Sequence, residues 1–164
     1  MFYEEITAIE NTQKAKDALR CLSYGVYVVS ARRGDAINAL TMRMVSQVST
    51  QPPCIALSMR RRCYTYQFIV ESEAFAVSVL ARGQELLAGH FSLRSGRTID
   101  KFAGVNYESG ITNAPILQDC CAFMECRLLT SHEMGNSSLL IGEIINADVR
   151  GGPPLIYRRE DYYG

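Results

Sequence analysis

Apolar and polar positions alternate along most of this chain, and only short stretches keep a helical rhythm. Ala15, Ala18, Leu19 and Leu22 stand at i, i+3, i+4 and i+7, one apolar stripe. They predict a helix capped at Asn11-Thr12 and ended by Gly25. Val26-Tyr27-Val28-Val29-Ser30-Ala31 is β-branched and aromatic, the composition of a strand. Arg33-Gly34-Asp35 is turn chemistry, and Ile37 to Ser49 returns as one or two strands, so residues 26–49 read as a hairpin. Gln51-Pro52-Pro53 breaks the chain. In the strand that follows, Ile55, Leu57 and Met59 alternate with Ala56 and Ser58. Phe68 follows Tyr64 by four and Ile69 follows Thr65 by four, which predicts a helix from about Thr65 to Glu71-Ser72.

The second half repeats the mixture. Ala74-Phe75-Ala76-Val77-Ser78-Val79-Leu80 alternates strictly and predicts a strand. Gln84 to Phe91 reads as a short helix, and Thr98 to Phe102, closed by Gly104, as another. Residues 104–118 are rich in turn formers and carry Pro115, so a loop is expected. Two long strands, Ala122 to Ser131 and Ser138 to Val149, flank the hairpin loop Gly135-Asn136-Ser137. After Gly151-Gly152-Pro153-Pro154, Leu155-Ile156-Tyr157 reads as a last edge strand. Strands joined by turns or single short helices predict a mainly β fold. A closed antiparallel barrel with short peripheral helices fits better than a doubly wound sheet.

The 164 residues suit one domain spanning 1–164, and 48% hydrophobic content is ample for a core. Lys plus Arg and Asp plus Glu both number 17, a balance that argues against charge-driven nucleic-acid binding. The six cysteines include no C-x-x-C pair, so free thiols in a reducing compartment are expected rather than a zinc ribbon or a disulfide scaffold. Two histidines exclude a His-rich metal site. Met1 to Glu10 has no basic residue and cannot serve as a secretory signal, and no apolar run approaches the ~20 residues of a membrane span. The expectation is a soluble, cytoplasmic protein with no membrane partner.

Charge matters most in one place. Arg60-Arg61-Arg62 lies between the strand at Ile55–Met59 and the helix at Thr65. A helix start offers free backbone N–H groups and partial positive charge, and arginine adds forked donors that match a phosphate. Thr65 either caps the helix or donates its hydroxyl to the same anion. The stretch predicts a site for a phosphate-bearing small molecule.

Several fragments, in order, carry a family likeness. They are Leu22-Ser23-Tyr24-Gly25-Val26-Tyr27-Val28-Val29-Ser30-Ala31; Gln47-Val48-Ser49 ahead of Pro52-Pro53; Tyr64-Thr65; Phe75 to Leu80; Gly89-His90-Phe91; Ser95-Gly96-Arg97; Asp100-Lys101-Phe102; and Ile141-Gly142-Glu143-Ile144. Over Ala18 to Tyr157 the chain resembles the flavin reductase-like, FMN-binding split-barrel family. Within it, the likeness is to flavoredoxin and to the flavin reductase domain of high-molecular-weight rubredoxin. The resemblance implies a Greek-key split β-barrel that forms a homodimer, with one FMN per subunit at the interface.

It implies a phosphate grip at Ser58, Met59, Arg60, Arg61 and Thr65, with Arg60 and Arg61 where the family often has Asn or Ser and then Lys. It places Thr41, Met42, Arg43 and Met44 along the isoalloxazine edge. A cation at Arg43, where Asn is common, would stabilise the anionic reduced flavin and raise its potential. It implies ribityl and phosphate contacts from Phe91, Ser92, Arg94, Ser95 and Arg97, with Gly96 allowing close backbone approach. Arg97 has an alternative partner in Asp100, three residues on.

One departure is Ser137, which stands where many family members carry a histidine near the nicotinamide; His132 lies five residues earlier. Two functions follow from the resemblance. One is an NAD(P)H-dependent flavin reductase passing electrons through FMN to free flavin or a separate acceptor protein. The other is a flavoredoxin-like electron carrier with little pyridine-nucleotide activity. Cys54 and Cys63 read as a buried small apolar residue and a half-exposed thiol rather than redox partners.

Overall fold

The computed structural model describes residues 12–158. The predicted cap at Asn11 lies outside them. Helix α1 covers residues 12–19 and gives way to a turn, short of Gly25. Its stripe stays open, with Leu19 57% and Leu22 53% exposed.

The body is one antiparallel sheet of seven strands. In chain order these are β1 (Tyr27–Arg33), β2 (Ala36–Met42), β3 (Val45–Thr50), β4 (Pro53–Arg60), β5 (Ala74–Val79), and, further on, β8 (Ala122–Met134) and β9 (Ser137–Val149). Their order across the sheet is β2-β1-β5-β8-β9-β4-β3. The sheet does not close. β2 and β3 follow each other in the chain yet stand at opposite ends of that order. Arg43 and Met44 carry the chain across, with the Val45 N–H folded back onto the Arg43 carbonyl instead of entering a hairpin ladder. The expected closed barrel is therefore a split one. The region predicted as a return of the hairpin, 37–49, belongs to both edges of the split.

Helix α2 (Tyr64–Ser72) connects β4 to β5, and α3 (Glu85–Leu93) follows β5. They divide the core. Val29, Leu57, Phe68, Ile69, Phe75 and Leu140 pack in the cluster that includes α2. Val26, Val28, Leu80, Phe91, Phe102 and Ile116 form the cluster that includes α3. Successive strand residues point to opposite faces, so Val28 serves one cluster and Val29 the other. Both faces are buried there, so β1 and β5 each give side chains to both clusters.

Three local expectations change. Residues 98–102 form turns and no helix, with the Asp100 side chain accepting from the Phe102 N–H. The expected loop at 104–118 contains a two-stranded ladder, β6 (Tyr107–Ser109) with β7 (Pro115–Leu117). Pro115 sits at its end, opposite Ser109, where no interior ladder bond is lost. Residues 155–157 contribute isolated bridges, Gly25 to Ile156 and, just before, Ala81 to Pro154, rather than a strand.

The 110–114 turn is fastened by one buried carboxylate. Glu125 accepts from the backbone N–H groups of Ile111 and Thr112, the Thr112 hydroxyl and the Asn146 amide. Burial alone would push its pKa up, but these four donors outweigh burial and hold it below the ordinary carboxylate value.

Candidate functional site

Two cavities adjoin beside β2, and Thr41, Ser92 and Arg94 line both. The smaller, about 260 Å³, lies at the start of α2. Its cations are Arg62, Arg94, Arg97 and Lys101, and no carboxylate lines it. Cys63 occupies the N-cap position of α2 in extended conformation and makes no side-chain cap bond. The first N–H groups of the helix are left for another acceptor, on the side where Tyr64 and Thr65 line the cavity.

Thr65 is not the cap, then. It lies in the first turn, 1% exposed, and its hydroxyl accepts from the Asn38 amide at 2.9 Å. Lys101 is 5% exposed and donates to the carbonyls of Ala39 and Phe91, both at 2.9 Å. Burial lowers its pKa below the ordinary lysine value, and the neighbouring Cys63 only partly offsets this. An ammonium with two neutral acceptors and no paired carboxylate is a strong attractor for a phosphate. Gly96 closes the wall. A Cβ added there would stand 1.9 Å from Asn38 Oδ1, so only glycine lets this loop lie against β2.

The larger cavity, about 760 Å³, runs between the end of β2 and α3. Met42, Leu86, Leu93 and Tyr157 give it apolar walls, and Arg20, Arg43 and Arg94 give it cations against one carboxylate, Glu85. The Thr41 hydroxyl donates to the Ala88 carbonyl and fixes α3 to β2. The Arg43 guanidinium is held between two rings, 5.0 Å from Tyr24 and 4.7 Å from Tyr157. His90 also lines this cavity, and its Nε2 lies 2.7 Å from the Lys101 carbonyl. A carbonyl can only accept, so Nε2 carries the proton in that contact.

Of the residues expected from the sequence, Thr41, Met42, Arg43, Thr65, Phe91, Ser92, Arg94, Ser95 and Arg97 line one or both cavities. Met44, Ser58, Met59, Arg60 and Arg61 line neither. Met59 is 1% exposed and fills the core, since alternation along β4 turns it inward. Ser58 and Arg60 pair with Leu139 and Ser137 of β9. Arg61 is committed to the β8–β9 hairpin, bonded to the Gly135 carbonyl and paired with Glu133. Arg97 stacks on the Tyr64 ring at 4.8 Å while Asp100 accepts from Phe102. The third arginine of the triplet, Arg62, is the one that reaches the small cavity.

Sequence reasoning missed Asn38 and Lys101 as site residues, and the family likeness passed over Arg62, which only the arginine triplet had marked. Lys101 stood inside a fragment that carried the family likeness. Asn38 was detectable as a lone polar residue between Ile37 and Ala39. Ser137 bonds to the neighbouring Asn136, and His132 is exposed and contacts Thr130. Cys54 is buried and Cys63 half-buried. Burial pushes the Cys126 thiol up to about 12, which leaves it inert as a nucleophile.

Residues 19–164 match the flavin reductase like domain family, and the chain belongs to that family. It is 38% identical over 143 residues to the high molecular weight rubredoxin of Moorella thermoacetica, covering 85% of this chain and 62% of that protein's length. With the FMN reductase (NADH) SmoA of Agrobacterium fabrum it shares 28% identity over 148 residues, 90% of this chain and 83% of that one. Among solved structures, the NADH:FAD oxidoreductase SgcE6 of Streptomyces globisporus superposes with a TM-score of 0.81 at 26% identity, covering 87% of this chain and 86% of that one.

Proposed function

We propose that this chain is an NAD(P)H-dependent flavin reductase that holds FMN across the two cavities. The observation that carries the reading is the small cavity. It is rich in cations, lacks carboxylates and opens on an uncapped helix start, a donor set suited to a phosphate monoester. The larger cavity, apolar with a few polar groups, has room for a ring system. When bound, FMN would supply the two-electron redox chemistry that links a reduced pyridine nucleotide to free flavin or a separate acceptor.

The chain's own residues bind and orient. Arg62, Thr65, Ser95, Arg97 and Lys101 hold the phosphate. Phe91, Ser92 and Arg94 line the path between the cavities. Thr41, Met42 and Arg43 border the ring. Arg43, fixed by its two tyrosines, raises the potential of the flavin, and a midpoint potential below that of free FMN would exclude this role. Two copies pair through the long β8–β9 hairpin. That assembly is supported by Leu129, Met134, Leu139, Ile145 and Val149, apolar residues exposed along it.

The test is an anaerobic absorption spectrum of the FMN-loaded protein during addition of NADH and then NADPH. Rapid bleaching by either supports the reductase. Bleaching by dithionite alone moves the function to the electron carrier. Failure to bind FMN rejects both.

A further inference from the structure

Asn38 lies at the boundary between the sheet and the small cavity. It is 3% exposed, lines that cavity and donates from Nδ2 to Thr65 Oγ1 at 2.9 Å. Its Oδ1 lies against Gly96, where an added Cβ would come within 1.9 Å. A hydroxyl has one proton and rotates to suit its surroundings. At Thr65 a lone pair is already taken by the Asn38 amide, so the proton must point away from Asn38. Thr65 is in the first turn of α2, and the wall it faces is the cation-lined cavity.

We propose that Asn38 is a positioning residue for flavin phosphate, a role that rests on reading the small cavity as the phosphate site. By occupying the acceptor side of Thr65 Oγ1 it turns the hydroxyl proton toward the phosphate oxygens. Gly96 keeps Asn38 in place from the other side. The consequence is selectivity between a phosphorylated flavin and its dephosphorylated form, set by a residue that need not touch the phosphate. Asparagine is suited to the task because its amide can only donate on that side. Aspartate, of the same shape, can only accept.

The experiment measures dissociation constants of FMN and riboflavin for flavin-free protein by quenching of flavin fluorescence. The proteins are the wild type, Asn38→Asp, Thr65→Val, and the double variant. Unfolding midpoints are recorded alongside. A bond to an anion contributes roughly ten- to hundredfold in affinity. Thr65→Val should therefore lower the FMN-over-riboflavin preference by about tenfold. Asn38→Asp should lower it at least as much, and much less when Thr65 is already valine. An equal loss in both backgrounds would assign the effect to the new charge alone and overturn the positioning role. So would an unchanged preference in Asn38→Asp.

If Asn38→Asp does not fold, Asn38→Ala introduces no charge and tests the same cycle. Its effect on the preference must disappear in the Thr65→Val background, and persistence overturns the role. A wild type that binds riboflavin as tightly as FMN would instead reject the phosphate reading itself.

Discussion

Among the described residues two charges are buried, and they are treated in opposite ways. Glu125, 0% exposed, is enclosed by four donors from the 111–112 turn and Asn146. Lys101, 5% exposed, has two carbonyl acceptors and a remaining N–H at a cavity wall. A buried charge is costly unless its hydrogen-bonding capacity is filled. At Glu125 the chain fills it, and the charge fastens a turn. At Lys101 the chain stops short, and the remaining capacity is available to a ligand. The shifts in pKa agree. Glu125 is held below its ordinary value because its donors prevail over burial, and Lys101 is lowered because burial prevails over the neighbouring Cys63. What separates the structural charge from the one proposed to bind is the unfilled bond, not depth.

The comparison breaks first at Glu125. Glu125→Ala leaves the Ile111 and Thr112 N–H groups and the Asn146 amide without their acceptor. The expected loss is about 3 to 5 kcal/mol of unfolding free energy, read by denaturant titration. The surviving folded fraction should bind FMN with unchanged affinity, because this carboxylate lines neither cavity. A specific loss of FMN binding would place Glu125 in the site.

Lys101→Met is the counterpart. It removes the cation but keeps the buried stem. FMN affinity should fall about fiftyfold, or ~2.3 kcal/mol, while the unfolding midpoint of flavin-free protein changes by about 1 kcal/mol or less. A large fall in stability with little change in affinity would make Lys101 a structural charge like Glu125 and erase the distinction.

A smaller effect is expected at Gly96. Gly96→Ala sets a methyl against Asn38 Oδ1, and Asn38 is buried and bonded to Thr65, so it has little freedom to move away. FMN should bind about tenfold more weakly and riboflavin nearly as before, since only the phosphate end is disturbed. Equal weakening of both flavins would show that the loop as a whole had shifted.

These residues also mark what was legible in the sequence. The strands β1, β4, β5, β8 and β9 were readable, β1 from its β-branched composition and β4 and β5 from alternation, because each places side chains in the core. The strand–arginine–helix segment was readable as a candidate anion site because helix starts and guanidiniums act locally. Which of the three arginines faces the small cavity was not readable. That depends on the β8–β9 hairpin, whose Glu133 and Gly135 engage Arg61 from more than seventy residues away. The short ladder at 107–117 was hidden for the same reason, since its turn is fastened by Glu125 and Asn146 on the main sheet. The helix expected at 98–102 fails because Asp100 caps a turn and Lys101 is drawn inward to Ala39 and Phe91. Local periodicity carries no trace of any of these contacts. Closure of the barrel was likewise undecidable from strand patterns, because β2 and β3 alternate equally well whether they pair or stand at opposite edges.

The gentlest test uses pH and exploits the sign of the Lys101 shift. Its folded pKa lies below the unfolded lysine value, so between the two the unfolded chain holds a proton that the folded chain has released. Stability of the flavin-free protein therefore rises with pH across that window. FMN binding runs the other way, because the phosphate needs the charged ammonium and affinity falls as the proton leaves. Other groups change charge over the same alkaline range, so the wild type alone does not isolate the lysine. The difference between wild type and Lys101→Met does. Unfolding midpoints and FMN dissociation constants measured across the alkaline range should diverge in opposite senses for wild type, and that divergence should vanish in the variant. If stability and affinity instead fall together in both proteins, the titrating group is elsewhere, and Lys101 keeps its proton throughout.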